Sequence, residues 1–354
     1  VNPIIKMTRQ TVLITGASGF IGTALIARLS KKYYIIGIDK ILHKDRDNSV
    51  LWYKADISDK ELLRNIFREI EVKISGKIDY VFHLAAYYDM ANKENKLYRK
   101  TNENGIRYLL DNLIHFNVIN FIFASSTVVF KPTSSDDKLD EDSDLSSFMH
   151  YGNSKIEGEK IISEYKEKIK ATIFRLSAVY SQDCRSIPLA NQTAFIWKRR
   201  FGYRILPGKG VGGISYVHIE DVLDAFEKSM LMAKEVPSGS IMILSEENLI
   251  SNNELSVLIS REVYGKNLNL IHLPVWIVWL CIYVVSNFYS LTGKHYFFKP
   301  WMLKLTDKKY RFNSEKAKKT IGWHPRFQLE QQMAVIIKNL KSNTSRWFSI
   351  NNMK

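Results

Sequence analysis

Cysteine is scarce in this chain of 354 residues, which contains only Cys184 and Cys281. Two cysteines so far apart provide neither a disulfide framework nor the spacing of a metal site. We therefore predict no bound metal and a reducing compartment. Residues 1–10 also lack the apolar core of a secretion signal, so the expected location is the cytoplasm.

Acidic residues are too few to balance the basic ones: 36 Asp and Glu accompany 51 Lys and Arg, and the net charge is +15. Such a charge is compatible with nucleic acid or an anionic membrane surface as a partner. The basic residues are scattered, however, and no nucleic-acid recognition motif accompanies them. We predict no nucleic-acid partner and interpret the charge as surface solvation with some attraction to membranes. With 45% hydrophobic and 25% charged residues, the composition is that of a globular protein.

Long uncharged runs are also rare, and residues 273–291 are the exception that matters. Their continuous apolar centre, 275–285, is shorter than the ~20 residues of a membrane span, and Ser286 and Asn287 interrupt it. The segment carries aromatic residues of the kind found at membrane interfaces: Trp276, Trp279, Tyr283 and Tyr289. Its length favours a buried or substrate-lining helix. A peripheral membrane contact is the second interpretation, and a span is the third.

The first half of the chain alternates regularly between short apolar strands and helices. Strands are predicted at 11–15, 34–38, 80–84, 121–124, 171–176 and 241–244. Helices are predicted at 21–30, 58–72, 102–116, 154–168 and 221–234, the second with a capping box from Ser58 to Glu61. This alternation predicts an α/β fold, a Rossmann-type doubly wound parallel sheet with a smaller, mostly C-terminal substrate domain.

The pattern loosens after Tyr180, where turn residues become frequent. We predict that residues 10–180 plus about 215–245 form the Rossmann domain. Residues 181–214 plus about 246–340 are expected to form the substrate-binding domain. Residues 341–354 are predicted to be a polar tail that frays.

A glycine-rich turn, Thr15-Gly16-Ala17-Ser18-Gly19-Phe20-Ile21-Gly22, directly follows the first strand. Gly16 permits a tight turn, Gly19 lets the backbone approach a pyrophosphate, and Gly22 allows close packing of helix on strand. The helix N-terminus that begins here favours negative charge, so the turn predicts a dinucleotide cofactor. The residues expected to contact it are Gly16, Ser18, Gly19, Phe20, Ile21 and Gly22.

Asp39 ends the next strand, 17 residues after Gly22. A carboxylate at this position can accept hydrogen bonds from the hydroxyl groups of the adenosine ribose. It would repel a 2′-phosphate, so the sequence favours NAD over NADP. Lys40 beside it weakens this preference.

Tyr151 and Lys155 are four residues apart at the start of a helix, so their side chains lie on one face. A free tyrosine titrates near ~10, too high for a base at neutral pH. A neighbouring ammonium group and the positive ring of oxidised nicotinamide both favour the phenolate, so we expect a lowered pKa for Tyr151. Lys155 can also hold the nicotinamide ribose. Together with the glycine turn, the pair predicts an NAD-dependent enzyme in which a tyrosine is acid and base.

Hydroxyl side chains follow the strand at 121–124, in Ser125-Ser126-Thr127. The carboxyl ends of strands are where open α/β sheets bind ligands. A hydroxyl group there can donate a hydrogen bond to a substrate oxygen and polarise it.

Over about residues 10–340, the chain resembles the extended short-chain dehydrogenase/reductase superfamily. The resemblance implies that Ser126 is the polarising hydroxyl beside Tyr151 and Lys155. Asn102 matches the superfamily's asparagine-centred motif and is included among the cofactor residues. Further cofactor contacts are implied near adenine and near the phosphates and nicotinamide, at Asp56, Ile57, Leu84, Ala85 and Ala86. A homodimer formed through 102–116 and 154–168 is also implied.

Two positions depart from the sugar-nucleotide epimerases and dehydratases of this superfamily. Ala178 stands where those enzymes usually carry asparagine, and Ile214 where they commonly carry an arginine that grips the diphosphate. Arg175 and Arg311 remain. Losing an amide and a cation nevertheless weakens a site for a charged diphosphate.

The stretch 125–130 and the pair Leu273-Pro274 instead resemble the 3β-hydroxysteroid dehydrogenase and sterol-4-carboxylate dehydrogenase branch, which implies an apolar substrate. We therefore predict an NAD-dependent oxidoreductase that transfers hydride between nicotinamide and a secondary alcohol or ketone of a sterol-like or lipid-derived molecule. The alternative is a sugar-nucleotide epimerase or dehydratase with transient hydride transfer. A third hypothesis is a cofactor-binding protein that has lost catalysis. His218 is expected to brace the substrate loop.

Overall fold

The computed structural model describes residues 9–43, 45–74, 76–291 and 297–353, with the backbone alone for 288–291. Residues 1–8, used above to judge a secretion signal, and the side chain of Tyr289 lie outside these residues. The strands are β1 Thr11–Thr15, β2 Tyr34–Asp39, β3 Leu51–Lys54, β4 Tyr80–His83, β5 Asn120–Ser126, β6 Ala171–Leu176, β7 Ala178–Tyr180, β8 Ile205–Pro207, β9 Gly213–Ile214, β10 Tyr216–His218, β11 Ser240–Leu244, β12 Ile250–Ser251, β13 Ile271–Leu273 and β14 Lys309–Tyr310. The helices are α1 Phe20–Leu29, α2 Lys60–Ile74, α3 Gly105–Leu113, α4 His150–Glu164, α5 Ile187–Trp197, α6 Ile219–Leu231, α7 Asn252–Tyr264, α8 Val275–Leu291, α9 Glu315–Ile321, α10 Leu329–Ser342 and α11 Thr344–Ile350. A π-helical turn covers Tyr98–Asn104, and 3-10 helices cover Thr127–Val129 and Pro300–Leu305.

Seven strands form one parallel sheet in the order β11-β6-β5-β4-β1-β2-β3. Val12, Leu13 and Ile14 of β1 have no exposed surface, because structure covers both faces of the sheet, and the strand is therefore a continuous apolar run. The strand order reverses between β1 and β4. Ligands of such sheets bind outside the carboxyl ends of the strands at this reversal. The sheet confirms the predicted Rossmann-type fold and places the ligand crevice between β1 and β4.

Two hydrophobic clusters cover the two faces of the sheet. Successive residues of a strand point to opposite faces. Val12 and Ile14 therefore belong to one cluster with α1 and α6, and Leu13 belongs to the other with α2 and α3. A third cluster joins α5, α7, α10 and α11. This separate core agrees with a second, mostly C-terminal unit, although the domain boundaries given above stay a prediction.

The start of α4 differs from the predicted one because a tertiary contact decides it. The helix begins at His150 instead of residue 154, so Tyr151 lies in its first turn. A Cβ on Gly152 would be 2.5 Å from Val128 O, so the helix start packs directly on the 3-10 helix after β5. The substrate-facing end of β5 and the first turn of α4 are thereby held together.

Two predictions about helix ends are wrong. At the start of α2, Asp59 rather than Ser58 accepts the Leu62 N–H, at 3.0 Å. The chain after residue 340 is not a frayed tail: it forms the last residues of α10 and then the whole of α11. Trp347 of α11 is 1% exposed and lies in the third cluster. One buried aromatic side chain fixes this segment, although the segment is polar on average.

Most of the uncharged segment 273–291 forms α8, and the structure corrects the expectation of a buried helix. Its exposed side chains recur at the spacing of one helix face, with 43% to 65% exposure: Trp276, Trp279, Leu280, Tyr283 and Val284. Ile282 is 8% exposed, and α8 contacts the 3-10 helix Pro300–Leu305. Because the helix is apolar on all sides, its composition does not distinguish the covered face from the exposed one. Within the described ranges, no helix is long and apolar enough to cross a membrane.

The two helices implied in homodimerisation, α3 and α4, pack against each other. Arg107 and Glu164 form an ion pair at 2.5 Å, and the Tyr165 hydroxyl donates to Asp111 Oδ1 at 2.6 Å. These contacts join the helices within one chain. Homodimerisation stays a prediction.

Glu246 is a buried carboxyl group after β11 that accepts the Leu329 N–H at the start of α10, at 2.8 Å. Burial, the largest cause, raises the pKa of Glu246 from 4.5 to about 7. The folded chain therefore keeps a proton at pH values where the unfolded chain has released it. This proton stabilises the fold fully below pH ~4.5, and the contribution is lost as the pH rises through ~7.

Between pH ~5 and ~8, Glu246 is expected to cost the wild type up to ~3 kcal/mol of stability as its proton is lost. Glu246→Gln keeps an oxygen acceptor for the Leu329 N–H and carries no titrating group, so we expect this part of the pH dependence to disappear. The measurement is the free energy of unfolding in urea at both pH values. The difference between variant and wild type decides, because His83 and His218 give the opposite slope: burial lowers their pKa values to about 3 and about 4. The same pH dependence in both proteins would contradict this assignment.

Candidate active site

The glycine turn of residues 15–22 joins β1 to α1 at the carboxyl edge of the sheet. Gly16 has φ +69°, and a Cβ there would lie 2.7 Å from Ala85 N. A Cβ on Gly22 would lie 2.3 Å from Gly16 O. Neither position admits a side chain, and the turn therefore packs directly against the chain that follows β4.

The start of α1 is open to an anion. Gly19, its N-cap, is exposed, and the first turn carries no acidic residue. The N–H groups of Phe20 and Ile21 precede the first bond of the helix, which the Thr23 N–H makes to Gly19 O at 3.0 Å. Ser18 Oγ is buried and has no partner among the described residues. Unpaired N–H groups and an unused hydroxyl fit a pyrophosphate at this helix N-terminus.

Asp39 lies at the end of β2, beside the glycine turn. Its Oδ2 accepts the Ser18 N–H at 3.0 Å, and its Oδ1 accepts the Ile41 N–H at 3.1 Å. A carboxylate has about four lone-pair positions, so acceptor capacity remains for the hydroxyl groups of a ribose. The side chain is partly exposed. Its position fits the predicted adenosine end of NAD.

We expect Asp39→Asn to reduce the preference for NAD over NADP, because the neutral amide no longer repels a 2′-phosphate. The dissociation constant of NAD itself should rise roughly tenfold or more, since a hydrogen bond to a charged group contributes about 1.5–3 kcal/mol. The measurement is the ratio of the two dissociation constants by fluorescence titration. Lys40→Gln, which removes the exposed cation that weakens the preference, should move the ratio in the opposite direction. An unchanged ratio in Asp39→Asn would remove Asp39 from the cofactor site.

Asp56 and Ile57, which follow β3, lie in different environments. Asp56 is exposed and accepts the Ser58 N–H at 2.9 Å. Ile57 is 4% exposed, and a Cβ on Gly105 would lie 2.9 Å from its Cδ1. Ile57 therefore packs against the start of α3. Contact of either residue with adenine stays a prediction.

The residues after β4 are held against β1. The Leu84 N–H donates to Thr15 O at 3.1 Å, and the Ala85 N–H donates to Thr15 Oγ1 at 3.4 Å. Thr15 Oγ1 also lies 2.7 Å from His83 Nδ1. Because burial lowers the pKa of His83 to about 3, this imidazole is neutral at physiological pH. Leu84 and Ala85 thus lie next to the glycine turn, and contact of these residues and of Ala86 with the cofactor stays a prediction.

Asn102 connects the loop after β4 to α4. Its Oδ1 accepts the Tyr87 N–H at 2.7 Å, and its Nδ2 donates to Tyr87 O at 3.0 Å and to Ser154 Oγ at 2.8 Å. The residue is 2% exposed. The structure therefore gives Asn102 a positioning role, and its direct contact with the cofactor stays a prediction.

Tyr151 and Lys155 occupy successive turns of α4, next to the carboxyl end of β5. Lys155 Nζ donates to Ala124 O at 2.8 Å and lies 5.6 Å from the centroid of the Tyr151 ring. It also lies 4.6 Å from the ring centroid of Phe123. The Tyr151 ring packs edge-on against Tyr88, with centroids 4.8 Å apart. The structure thus brings the predicted tyrosine and lysine together at the edge of the sheet where ligands bind.

Ser125 and Ser126 end β5 with different partners. Ser125 is 3% exposed, and its hydroxyl donates to Glu159 Oε1 at 2.5 Å. Ser126 is less buried, and its Oγ accepts only a long bond from the Val128 N–H, at 3.4 Å. Its O–H is therefore the one that remains available to a substrate oxygen.

The electrostatics of the pair correct one expectation. Burial, followed by Tyr88 and Tyr98, raises the pKa of Tyr151 above its ordinary value, whereas the sequence predicts a lowered one. The loss of solvation is the largest cause, and the amino group of Lys155 donates to a main-chain carbonyl of β5 instead of to Tyr151. Burial also lowers the pKa of Lys155 to about 7, although Glu159 opposes this. In the protein alone, Tyr151 is therefore a proton donor rather than a phenolate.

Both remaining arginines are ion-paired, but they differ in burial: Arg311 Nη1 lies 3.6 Å from Asp136 Oδ1 at a partly exposed position. Arg175 is 2% exposed and forms a two-bond ion pair with Glu159, at 3.1 and 2.8 Å. Arg311 is partly exposed, and its Nε has no partner among the described residues. Ile214 lies in β9, paired with β14, the strand that precedes Arg311. Arg311 directly follows Tyr310, the residue of β14 that pairs with Ile214.

His218 lies in a structural position. Its Nδ1 accepts the Glu220 N–H at 3.3 Å at the start of α6. Its ring stacks on Phe327 with centroids 4.2 Å apart, and the residue is 1% exposed. Tyrosine, not this histidine, remains the candidate acid and base.

Residues 12–244, more than half of the chain, match the model of the NAD dependent epimerase/dehydratase family. The chain belongs to this family. It is therefore an enzyme of the extended short-chain dehydrogenase/reductase type, as predicted, and NAD is the cofactor of the family. The steroid dehydrogenase branch has no such support from the relatives reported below.

Several of the curated relatives are named as epimerases or dehydratases. A dTDP-D-glucose 4,6-dehydratase from Dictyostelium discoideum is 27% identical over 274 residues, which are 70% of this chain and 61% of that enzyme. An N-acetyl-alpha-D-glucosaminyl-diphospho-ditrans,octacis-undecaprenol 4-epimerase from Escherichia coli O157:H7 is 24% identical over 81% of this chain and 82% of its own length. The chain spans only part of several curated relatives: 61% of the length of the Dictyostelium discoideum enzyme and 56% of the length of each of two UDP-glucose epimerases.

Solved structures share the fold over nearly the whole chain. A UDP-glucose 4-epimerase from Thermotoga maritima has a TM-score of 0.71 at 21% identity, covering 94% of this chain and 99% of its own. A dTDP-glucose 4,6-dehydratase from Bacillus anthracis, in complex with NAD, has a TM-score of 0.71 at 18% identity, covering 96% and 99%. At these identities the likeness establishes the fold alone.

Proposed function

We propose that the protein is an NAD-dependent epimerase or dehydratase that acts on a diphosphate-linked sugar and returns the hydride within one cycle. The observation that carries this proposal is the grouping of Ser126, Tyr151 and Lys155 at the sheet edge that also holds the glycine turn. The names of the relatives favour a sugar carried on a diphosphate. This replaces the apolar alcohol as the first choice of substrate.

Each residue of the group has a distinct task in such a reaction. Tyr151 exchanges a proton with the hydroxyl group that is oxidised, and Ser126 donates a hydrogen bond to the same oxygen. Lys155 holds the Tyr151 ring against the end of β5 and contributes positive charge. Bound NAD supplies the hydride acceptor and donor. Arg311 is the residue we assign to the diphosphate, because its Nε is unpaired within the described chain.

A second candidate function is a net dehydrogenase for an apolar secondary alcohol. It is favoured by the exposed apolar face of α8 and by Ala178 and Ile214, which supply neither an amide nor a cation. In this reaction reduced nicotinamide leaves the enzyme after each turnover. The two candidates therefore differ in a quantity that is simple to measure.

The test follows reduced nicotinamide by absorbance with purified protein, NAD and three substrate groups, while products are analysed separately. The groups are UDP- and dTDP-sugars, a polyprenyl-diphosphate sugar, and hydroxysteroids with other lipid alcohols. Conversion of a sugar without accumulation of reduced nicotinamide supports the proposal. Steady accumulation with an apolar alcohol supports the second candidate instead. Tyr151→Phe is the control for background conversion.

We also propose the two-domain division given above and a homodimer. The third cluster supports the division, because it forms a core apart from the sheet. The neighbouring faces of α3 and α4 support a dimer only through the resemblance to the superfamily. Light scattering on the purified protein gives the mass that decides this point.

A further inference from the structure

Two stretches of the chain, residues 184–219 and 263–306, contain no aspartate or glutamate. They contain ten lysines and arginines, so they hold two thirds of the net charge of +15. Ordinary protein surfaces mix charges of both signs. A region that carries only positive charge attracts anionic partners and repels a second copy of itself.

The two stretches meet in the folded chain. β8 from the first pairs with β13 from the second, and the Ile271 N–H donates to Arg204 O at 2.8 Å. The rings of Phe195 and Phe298 lie 5.1 Å apart and connect α5 with the segment after α8. The two stretches therefore contact each other, and the acidic residue that borders the second one, Asp307, accepts the Lys209 N–H at 3.0 Å.

This part of the molecule also exposes apolar side chains. We call one exposed face of α8 the apolar stripe: Trp276, Trp279, Leu280, Tyr283 and Val284. Phe201, in the first stretch, is 93% exposed and follows three exposed basic residues. We call five exposed cations of the two stretches the basic rim: Lys198, Arg199, Arg200, Lys266 and Lys304. Tryptophan and tyrosine beside lysine and arginine are the residues that settle at a bilayer interface.

We propose that the apolar stripe and the basic rim form a docking surface for an anionic lipid bilayer, on which the protein lies without crossing it. The stripe supplies buried apolar area and the rim supplies attraction to anionic headgroups, the combination on which peripheral binding depends. A second copy of the chain is a poorer occupant, because it presents the same positive rim. The proposal does not depend on which substrate the active site takes.

Docking would bring the entrance of the active site close to the bilayer. Trp301, in the 3-10 helix that contacts α8, packs against Phe148 with ring centroids 6.0 Å apart. Phe148 is three residues before Tyr151. The 3-10 helix that contacts α8 therefore also contacts the residues just before the catalytic helix, and a substrate with a lipid carrier would be within reach of a docked enzyme.

The experiment is flotation of the full chain with vesicles of phosphatidylcholine alone or mixed in equal parts with phosphatidylglycerol. We expect binding to the anionic vesicles that weakens strongly at high salt. Trp276→Ser with Val284→Ser should abolish binding. Arg200→Glu with Lys266→Glu and Lys304→Glu should weaken it at least about tenfold, since each basic residue near such a surface contributes roughly 1 kcal/mol.

Matched controls carry the same changes on other surfaces. Val72→Ser with Leu231→Ser alters two side chains that are each 76% exposed. Lys31→Glu with Lys166→Glu and Lys319→Glu reverses three exposed charges outside the two stretches. Equal losses in controls and test variants, or no binding of the wild type to anionic vesicles, would overturn the proposal. A third result would also overturn it: the wild type binds no vesicles, and the stripe variant changes the oligomeric mass. The stripe would then be an interface between copies of the chain.

Cys281 allows a test without loss of side chains. It is exposed on α8, whereas Cys184 is buried, so a thiol-reactive environment-sensitive dye labels the helix selectively. A blue shift of its emission with anionic vesicles, and none with phosphatidylcholine alone, supports docking through α8. Binding without any shift would place the contact elsewhere and overturn the assignment of the stripe.

Discussion

Tyr151→Phe is expected to lower the rate of substrate conversion by at least about a hundredfold, because a positioned acid/base group contributes about 10²–10⁴ to the rate. The variant loses only the phenolic hydroxyl group. Its ring can still pack against Tyr88, at 4.8 Å, and against Lys155, at 5.6 Å. NAD binding should therefore stay nearly unchanged while turnover is lost.

The measurement pairs a titration of NAD with an assay of product formation on the same protein. Tyr88→Phe is the matched control, since it removes a hydroxyl group from the neighbouring ring and is expected to retain turnover. A loss of turnover without a loss of NAD affinity assigns the hydroxyl group to the chemical step. Preserved turnover in Tyr151→Phe would refute the role of this residue.

The raised pKa of Tyr151 adds a condition to this assignment. Burial raises the pKa of Tyr151 in the protein alone, so the form that accepts the substrate proton would need the added positive charge of oxidised nicotinamide. Lys155, whose pKa burial lowers to about 7, changes its charge near neutral pH. The positive charge beside the tyrosine therefore depends on pH in the range where the enzyme would be assayed.

The sequence predicts the parts of the site that are encoded by short strings. Gly16 and Gly22 are recognisable because close backbone contacts exclude every side chain at those positions. Tyr151 and Lys155 are recognisable because a spacing of four places both on one helix face. The order of strands and helices likewise predicts the parallel sheet without knowledge of any long-range contact.

The sequence does not predict what depends on distant partners. Arg175 is available for a diphosphate on inspection of the sequence, but the fold pairs it with Glu159, 16 residues away on another element. The direction of the pKa shift of Tyr151 depends on burial, which the spacing does not reveal. Trp347 lies in a polar segment, yet it is buried by α10 and its neighbours. In each case a contact that only the folded chain makes decides the outcome.

The exposed face of α8 illustrates the same limit in the opposite direction. Apolar residues usually predict burial, and the length of the run favours that interpretation. Trp276 and Val284 are nevertheless each 65% exposed. A helix that is apolar on both sides can pack one face on the protein and leave the other for a lipid, and hydropathy alone does not separate these cases.

Arg175→Met is expected to destabilise the fold by about 3–5 kcal/mol, because it leaves the Glu159 carboxylate buried without its cation. Arg175 and Glu159 are 2% and 6% exposed. The carboxylate would keep only the Ser125 hydroxyl as a hydrogen-bond donor, among the bonds described above. The measurement is the free energy of unfolding in urea near neutral pH.

The double variant Arg175→Met with Glu159→Leu separates the cost of an unpaired charge from the value of the pair. Replacing a buried ion pair by apolar residues of similar volume is often neutral or stabilising. We therefore expect the double variant to recover most of the stability lost in Arg175→Met, with a large coupling energy in the double-mutant cycle. A double variant no more stable than Arg175→Met would show that packing around Arg175, including its contact with the Phe130 ring at 5.0 Å, outweighs the charge pair. Because Glu159 lies one turn after Lys155 on α4, the same cycle measures how firmly the fold anchors the helix that carries Tyr151.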